Sequence, residues 1–246
     1  AQVVDATNLT VMPRLTDHHD HLEPDLGEAA GRAYLAFGVT TVRSVGNTPY
    51  EAVEEKEANE AGVRPGPRIF GTGGLMEWQR AFHKMSVVLS SVSHMEMEMQ
   101  RAKVLQHDLL KSYVRLPDLQ QKRMVEFAHS IGIPVTTHEL YPAAFVGVDG
   151  TEHTGGTSRR GYATKIATLQ RAYDDVIQLF GKSGRFWTPT ITGGGVTKLF
   201  QEEPELKNDP RFKLYPEWIE RQVAGLGAPI APTPGLAKMV ADIMHA

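Results

Sequence analysis

Cysteine is absent from this 246-residue chain. No disulfide can brace it and no thiolate can hold a metal, so any metal site must use nitrogen and oxygen donors. Long apolar runs are missing too, and none approaches the ~20 residues that a membrane-spanning helix needs. No basic start leads into a hydrophobic segment, so no signal peptide is predicted, and cytoplasm and periplasm both stay open. Neither charge dominates: 26 Lys and Arg stand against 29 Asp and Glu, for a net −3. That balance predicts no nucleic acid and no membrane among the partners. What is present is ordinary for a soluble globular protein, with 41% hydrophobic and 22% charged residues. The length suits one domain over 1–246 better than two small ones.

Short apolar, β-branched runs alternate with longer amphipathic stretches, a pattern of βα units around a parallel sheet. Seven strands are expected: 9–15, 39–45, 68–70, 109–115, 134–138, 148–153 and 185–191. Helices are expected over 28–37 and 50–61, each closed by a glycine (Gly38, Gly62), and over 94–106 and 119–131. A short helix is expected near Ala143, and longer ones over 164–180 and 236–246. A long insertion covers 75–91, and 201–234 reads as irregular. Met95, Met97 and Met99 alternate with Glu96 and Glu98, which has strand period inside a stretch otherwise read as helix. Gly193-Gly194-Gly195 reads as a barrel loop rather than a phosphate-binding loop, since no Lys-Ser or Lys-Thr follows. Arg159-Arg160 reads as a solvated turn or an anion contact.

Chemistry concentrates where these strands end. Side chains two apart on a strand share a face, so Asp17, His19 and His21 point one way and His18 and Asp20 the other. Two imidazoles at that spacing can chelate a divalent cation, although a lone His-x-His is equally a polar strand end. Recurrence changes the balance: His138 ends the fifth strand, His153 ends the sixth and Lys111 lies in the fourth. In a barrel all C-terminal strand ends converge on one mouth. Tyr113 and Arg115 share the face of Lys111 and are candidates to hold a substrate carboxylate or an oxyanion, or simply to pack.

The stretch Val11-Met12-Pro13-Arg14-Leu15-Thr16-Asp17-His18-His19-Asp20-His21 resembles the first-strand signature of the metal-dependent amidohydrolase superfamily. Gly38-Val39-Thr40-Thr41-Val42-Arg43 and Gly66-Pro67-Arg68 are similar to segments of its imidazolonepropionase- and prolidase-like branch, and the chain also resembles the propeller-fused amidohydrolases. The resemblance implies an α/β fold, a TIM-like (β/α) barrel that is incomplete here, with about seven strands and no flanking β-sandwich. It implies that His19 and His21 bind one metal, that His138 and His153 bind a second, and that Lys111, carboxylated on its amine, bridges them. The alternative for Lys111 is a buried ion pair, perhaps with Asp17. The ions would be Zn, or Mn, Fe or Co, since imidazole and carboxylate donors suit all four. The chain departs from the pattern at Arg14 and Thr16, where glycine and a β-branched apolar residue are usual. It also has no counterpart of the acidic residue that normally ends the eighth strand.

The first expectation is therefore a hydrolase that cleaves an amide, ester or lactone bond of a small molecule with a metal-activated hydroxide. Two others stand beside it. One is a truncated or engineered barrel fragment that binds metal with little turnover, or completes its sheet as a homo-oligomer. The other is a phosphotriesterase-like activity of the same kind of metal pair.

Overall fold

The computed structural model describes residues 3–22, 24–154, 171–191 and 195–225. Nine strands alternate with seven α-helices among them. The strands are β1 (Leu15–Asp20), β2 (Val39–Ser44), β3 (Arg68–Gly71), β4 (Leu75–Trp78), β5 (Ser86–Leu89), β6 (Leu110–Lys111), β7 (Val135–Thr137), β8 (Gly150–Glu152) and β9 (Phe186–Thr188). The helices are α1 (Glu28–Ala36), α2 (Glu51–Glu60), α3 (Val92–Val104), α4 (Asp118–Ser130), α5 (Asp174–Lys182), α6 (Gly195–Glu202) and α7 (Glu217–Gly225). Short 3-10 turns at Pro204–Asn208 and Pro210–Leu214 join the last two.

Every ladder is parallel, as the βα alternation requires. The strands form three sheets, each in sequence order: β1-β2-β3, β4-β5 and β6-β7-β8-β9. A single parallel bridge, Met76 to Ser112, joins the second sheet to the third. The expected run of seven strands is thus nine strands in three pieces, and the described residues form no closed barrel. The insertion at 75–91 supplies the two additional strands. Strands β6 to β9 are only two or three residues long, so Lys111 sits at the last rung of its ladder, and His138 and His153 lie one residue past theirs.

Alternation along these short strands decides what faces where. Leu110 joins the main core beneath α3 and α4, with Met76, Leu89, Met99, Met124 and Val135, while its neighbour Lys111 faces the other way and is also fully buried. A smaller core of Leu22, Val42, Ala52 and Ile69 lies under the first sheet.

Several expectations are corrected. The first strand starts at Leu15, not Leu9, and Leu9 and Val11 are exposed. The methionine stretch is helical: Met95 and Met99, one turn apart, are buried, and Met97 is exposed. The residues around Ala143 form turns rather than a helix, and 201–225 is largely helical. The expectations for Arg159-Arg160, for 164–170, for Gly193-Gly194, for 226–234 and for a helix over 236–246 lie outside the described residues.

Candidate active site

β1 delivers the first two histidines. Its pairing with β2 slips between Asp17 and Asp20, and there the Asp17 carboxylate accepts the His19 backbone N–H at 2.9 Å. His19 turns inward, with its side chain 8% exposed. His21, just beyond the strand, donates from Nδ1 to the Gly46 carbonyl at 2.8 Å. Gly46 leaves room for this corner: a Cβ there would sit 2.5 Å from the Leu75 side-chain methyl and 3.2 Å from the His21 ring, so both would have to shift.

The other two histidines follow β7 and β8. Simple alternation would put Glu152 and His153 on opposite faces. His153 instead takes a left-handed φ of 65°, an uncommon conformation for a residue with a Cβ, and its ring lies against His19, which Glu152 also contacts. Thr190, also left-handed with φ 48°, holds His153 Nδ1 through its hydroxyl at 2.6 Å. Such outliers cost about 1–3 kcal/mol each and cluster at functional sites.

The four rings meet. His153 lies 4.4 Å from His19 and 4.5 Å from His138, and His19 lies 5.3 Å from His21, measured between ring centroids. His138 and His153 bring their Nε2 atoms to 3.2 Å. Tyr113, buried, packs edge-on to His138 with ring centroids 4.6 Å apart. Arg115 lies farther out, with its guanidinium stacked 5.3 Å above the Phe82 ring. His19, His21, His138, His153 and Tyr113 thus enter one chain of ring contacts, Arg115 reaches Tyr113 through Phe82, and Lys111 acts on the site through its charge, felt by His21 and Glu152. Among the described residues, no group of three His, Asp or Glu side chains forms a ready-made metal cage. The arrangement offers a cation the facing nitrogens of His138 and His153, with His19 alongside.

Burial governs the electrostatics. It pushes His21 down to about 4, with the charges of His19, Lys111 and His83 adding to it against the Gly46 hydrogen bond. Burial also pushes Lys111 down to about 8; Glu152 opposes this and Arg43 assists it. Lys111 forms no ion pair with Asp17, and its Nζ has no hydrogen-bond partner among the described residues. For Glu152 burial works in the opposite direction, but Lys111, the His19 hydrogen bond and Arg43 together hold its carboxyl well below the usual carboxylate range.

No protein-family model matches the chain, and no curated protein matches it in sequence. Solved structures do match. An amidohydrolase aligns over 100% of this chain and 64% of its own, at 18% identity and a TM-score of 0.63. A putative prolidase from Bifidobacterium longum aligns over 95% of this chain and 57% of its own, at 21% identity and 0.62. The ochratoxinase of A. niger aligns over 88% and 61%, at 15% identity and 0.60. This chain shares the fold of these solved structures. It spans less than two thirds of the length of these neighbours.

Within that fold the gathered side chains lie at or just beyond the C-terminal ends of parallel strands. Three participants were not singled out from sequence. Glu152 and Arg43 look like ordinary strand residues, although the position of Glu152 next to His153 was an available signal. His83 sits in the loop between β4 and β5, with its ring 6.3 Å from both His21 and Tyr113. Its Nδ1 accepts the Met85 N–H at 3.2 Å, so the neutral ring carries its proton on Nε2. His21 has the opposite tautomer.

Proposed function

We propose that this chain carries the site of a metal-dependent hydrolase that cleaves an amide, ester or lactone bond. The observation that carries the reading is the 3.2 Å approach of His138 Nε2 to His153 Nε2. Two nitrogens on one tetrahedral zinc, each at about 2.05 Å, lie about 3.3 Å apart. The Nδ1 atoms of His19, His21 and His153 are engaged by Glu152, Gly46 and Thr190, which leaves their Nε2 atoms for ligation, as metal-binding imidazoles require. His19 and His21 would hold one ion, of Zn or of Mn, Fe or Co, and His138 and His153 a second. Lys111 would bridge them as a carbamate.

An orphaned, fully buried amine with its pKa lowered to about 8 supports that last assignment. Only the neutral amine can add to carbon dioxide, losing a proton to become an anionic oxygen donor. A divalent ion held by these residues would supply Lewis acidity toward a carbonyl and would lower the pKa of a bound water toward neutrality. The chain's own residues orient the substrate: Tyr113 donates its hydroxyl to the carbonyl oxygen, and the Arg115 guanidinium, fixed on Phe82, pairs with a carboxylate. We read the three parallel sheets as segments of a (β/α) barrel, incomplete in this chain.

Neighbours described as an amidohydrolase, a Xaa-Pro dipeptidase and phenylurea hydrolase B support an amide-type bond over a phosphotriester. Metal analysis of the purified protein, paired with dipeptide, aryl ester and phosphotriester assays, tests the reading. His138→Ala and His153→Ala are expected to lose metal and activity while staying folded. Full metal stoichiometry in both variants would refute the assignment. A second reading, association of chains through strand edges, is favoured by β1 and β9, each of which pairs on one side only among the described residues.

A further inference from the structure

The candidate ligands come from two sheets that share no backbone ladder among the described residues: His19 and His21 from the β1 sheet, His138 and His153 from the β6 to β9 sheet. Something other than strand pairing must set the distance between them. Glu152 on β8 reaches across to β1, where its Oε2 accepts from His19 Nδ1 at 2.7 Å. Arg43 on β2 donates from Nη2 to both carboxylate oxygens, at 2.8 and 3.0 Å. The Thr136 hydroxyl on β7 donates to Oε1. Arg43 has two further contacts: Nε donates to the His18 carbonyl at 2.6 Å, and Nη2 donates to the Thr188 hydroxyl on β9 at 2.9 Å. One guanidinium thus grips the peptide next to His19, the carboxylate under its ring, and the far sheet.

We propose that Glu152, clamped by Arg43, is the positioning residue that aligns His19 for metal and registers the two halves of the site. The proposal rests on the metal-site reading above. The carboxylate fixes the proton of His19 on Nδ1, directs the Nε2 lone pair away from Glu152, and limits rotation of the ring. A purely stabilising role fits poorly, because a buried Arg–Glu pair pays heavily in desolvation and apolar replacements are often as stable. Alignment is something an apolar pair cannot supply. Partners of this kind typically change metal affinity 10- to 100-fold.

The test is competitive titration of the metal-free full chain with Zn and Co against a chelator. Glu152→Gln is expected to weaken the ion at His19 and His21 by about 10- to 100-fold and to leave the ion at His138 and His153 unchanged. Imidazole nitrogen NMR of the metal-free variant is expected to show His19 as a mixture of tautomers, where the wild-type ring is protonated on Nδ1. Should Glu152→Gln fail to fold, the double variant Arg43→Met with Glu152→Leu removes both charges. It is expected to unfold at the wild-type midpoint and still show the same loss of metal. Folded variants that bind both ions with wild-type affinity overturn the proposal alone. A wild-type chain that takes up neither ion overturns the metal reading and this proposal with it.

Discussion

Burying Lys111 completely, with no hydrogen-bond partner on Nζ among the described residues, removes an ammonium from water, and its pKa falls from 10.5 to about 8. A depressed lysine pKa means that the unfolded chain binds the proton more tightly, so the fold carries a penalty below pH 8. The penalty fades as pH rises from about 8 to about 10.5. Lys111→Met is therefore expected to stabilise the metal-free protein by about 3 kcal/mol near neutrality and to abolish activity, with the gain in urea melts shrinking toward pH 10.5. His21 works at the acid end. Its folded pKa of about 4 lies below the ordinary 6.5, so the unfolded chain takes up the proton first as pH falls. The metal-free protein is expected to lose stability from about pH 6.5 down to about pH 4, by at most about 1.4 kcal/mol per pH unit from this group. His21→Gln, followed in the same urea melts, is expected to flatten that slope. Both predictions describe groups that the fold tolerates at a cost, as functional residues often are.

At the scale of elements, α3 is the clearest case of packing settling an ambiguous pattern. Glu and Met alternate from 95 to 99 as in a strand, but Ser91 caps the segment by accepting the His94 N–H at 3.1 Å, and helical spacing carries Met95 and Met99 into the core. Ser91→Ala is expected to cost about 1 kcal/mol in a denaturant melt. Helix ends marked by Gly38 and Gly62 were legible in advance, because both glycines take positive φ, 79° and 70°. The left-handed turn at His153 was not legible, since nothing local in Glu152-His153-Thr154 demands it. It depends on Thr190, 37 residues away.

For the whole molecule, the polar clamp from Arg43 links strands that no ladder connects, while β1 and β9 keep one edge each without a ladder partner among the described residues. Phe186 at the β9 edge is 65% exposed. A cavity of about 530 Å³, lined by Phe70, Val135, Phe186 and Trp187 among others, opens near the N-terminal ends of β7 to β9. Exposed edges and apolar surface favour association, so light scattering is expected to report a species larger than one chain. A stable monomer with full activity would remove this second reading.

The sequence by itself determined the βα alternation and placed His19, His21, His138 and His153 at or near strand ends and Lys111 within a strand, because hydrophobic period and turn residues act over a few positions. Only the tertiary structure decided that the sheet divides into three among the described residues, that Lys111 has no ion pair among them, and that Glu152 meets Arg43 across 109 residues of chain. Those outcomes depend on the curvature and burial of packed sheets, and no local pattern of residues encodes which distant side chains will share one dry interior.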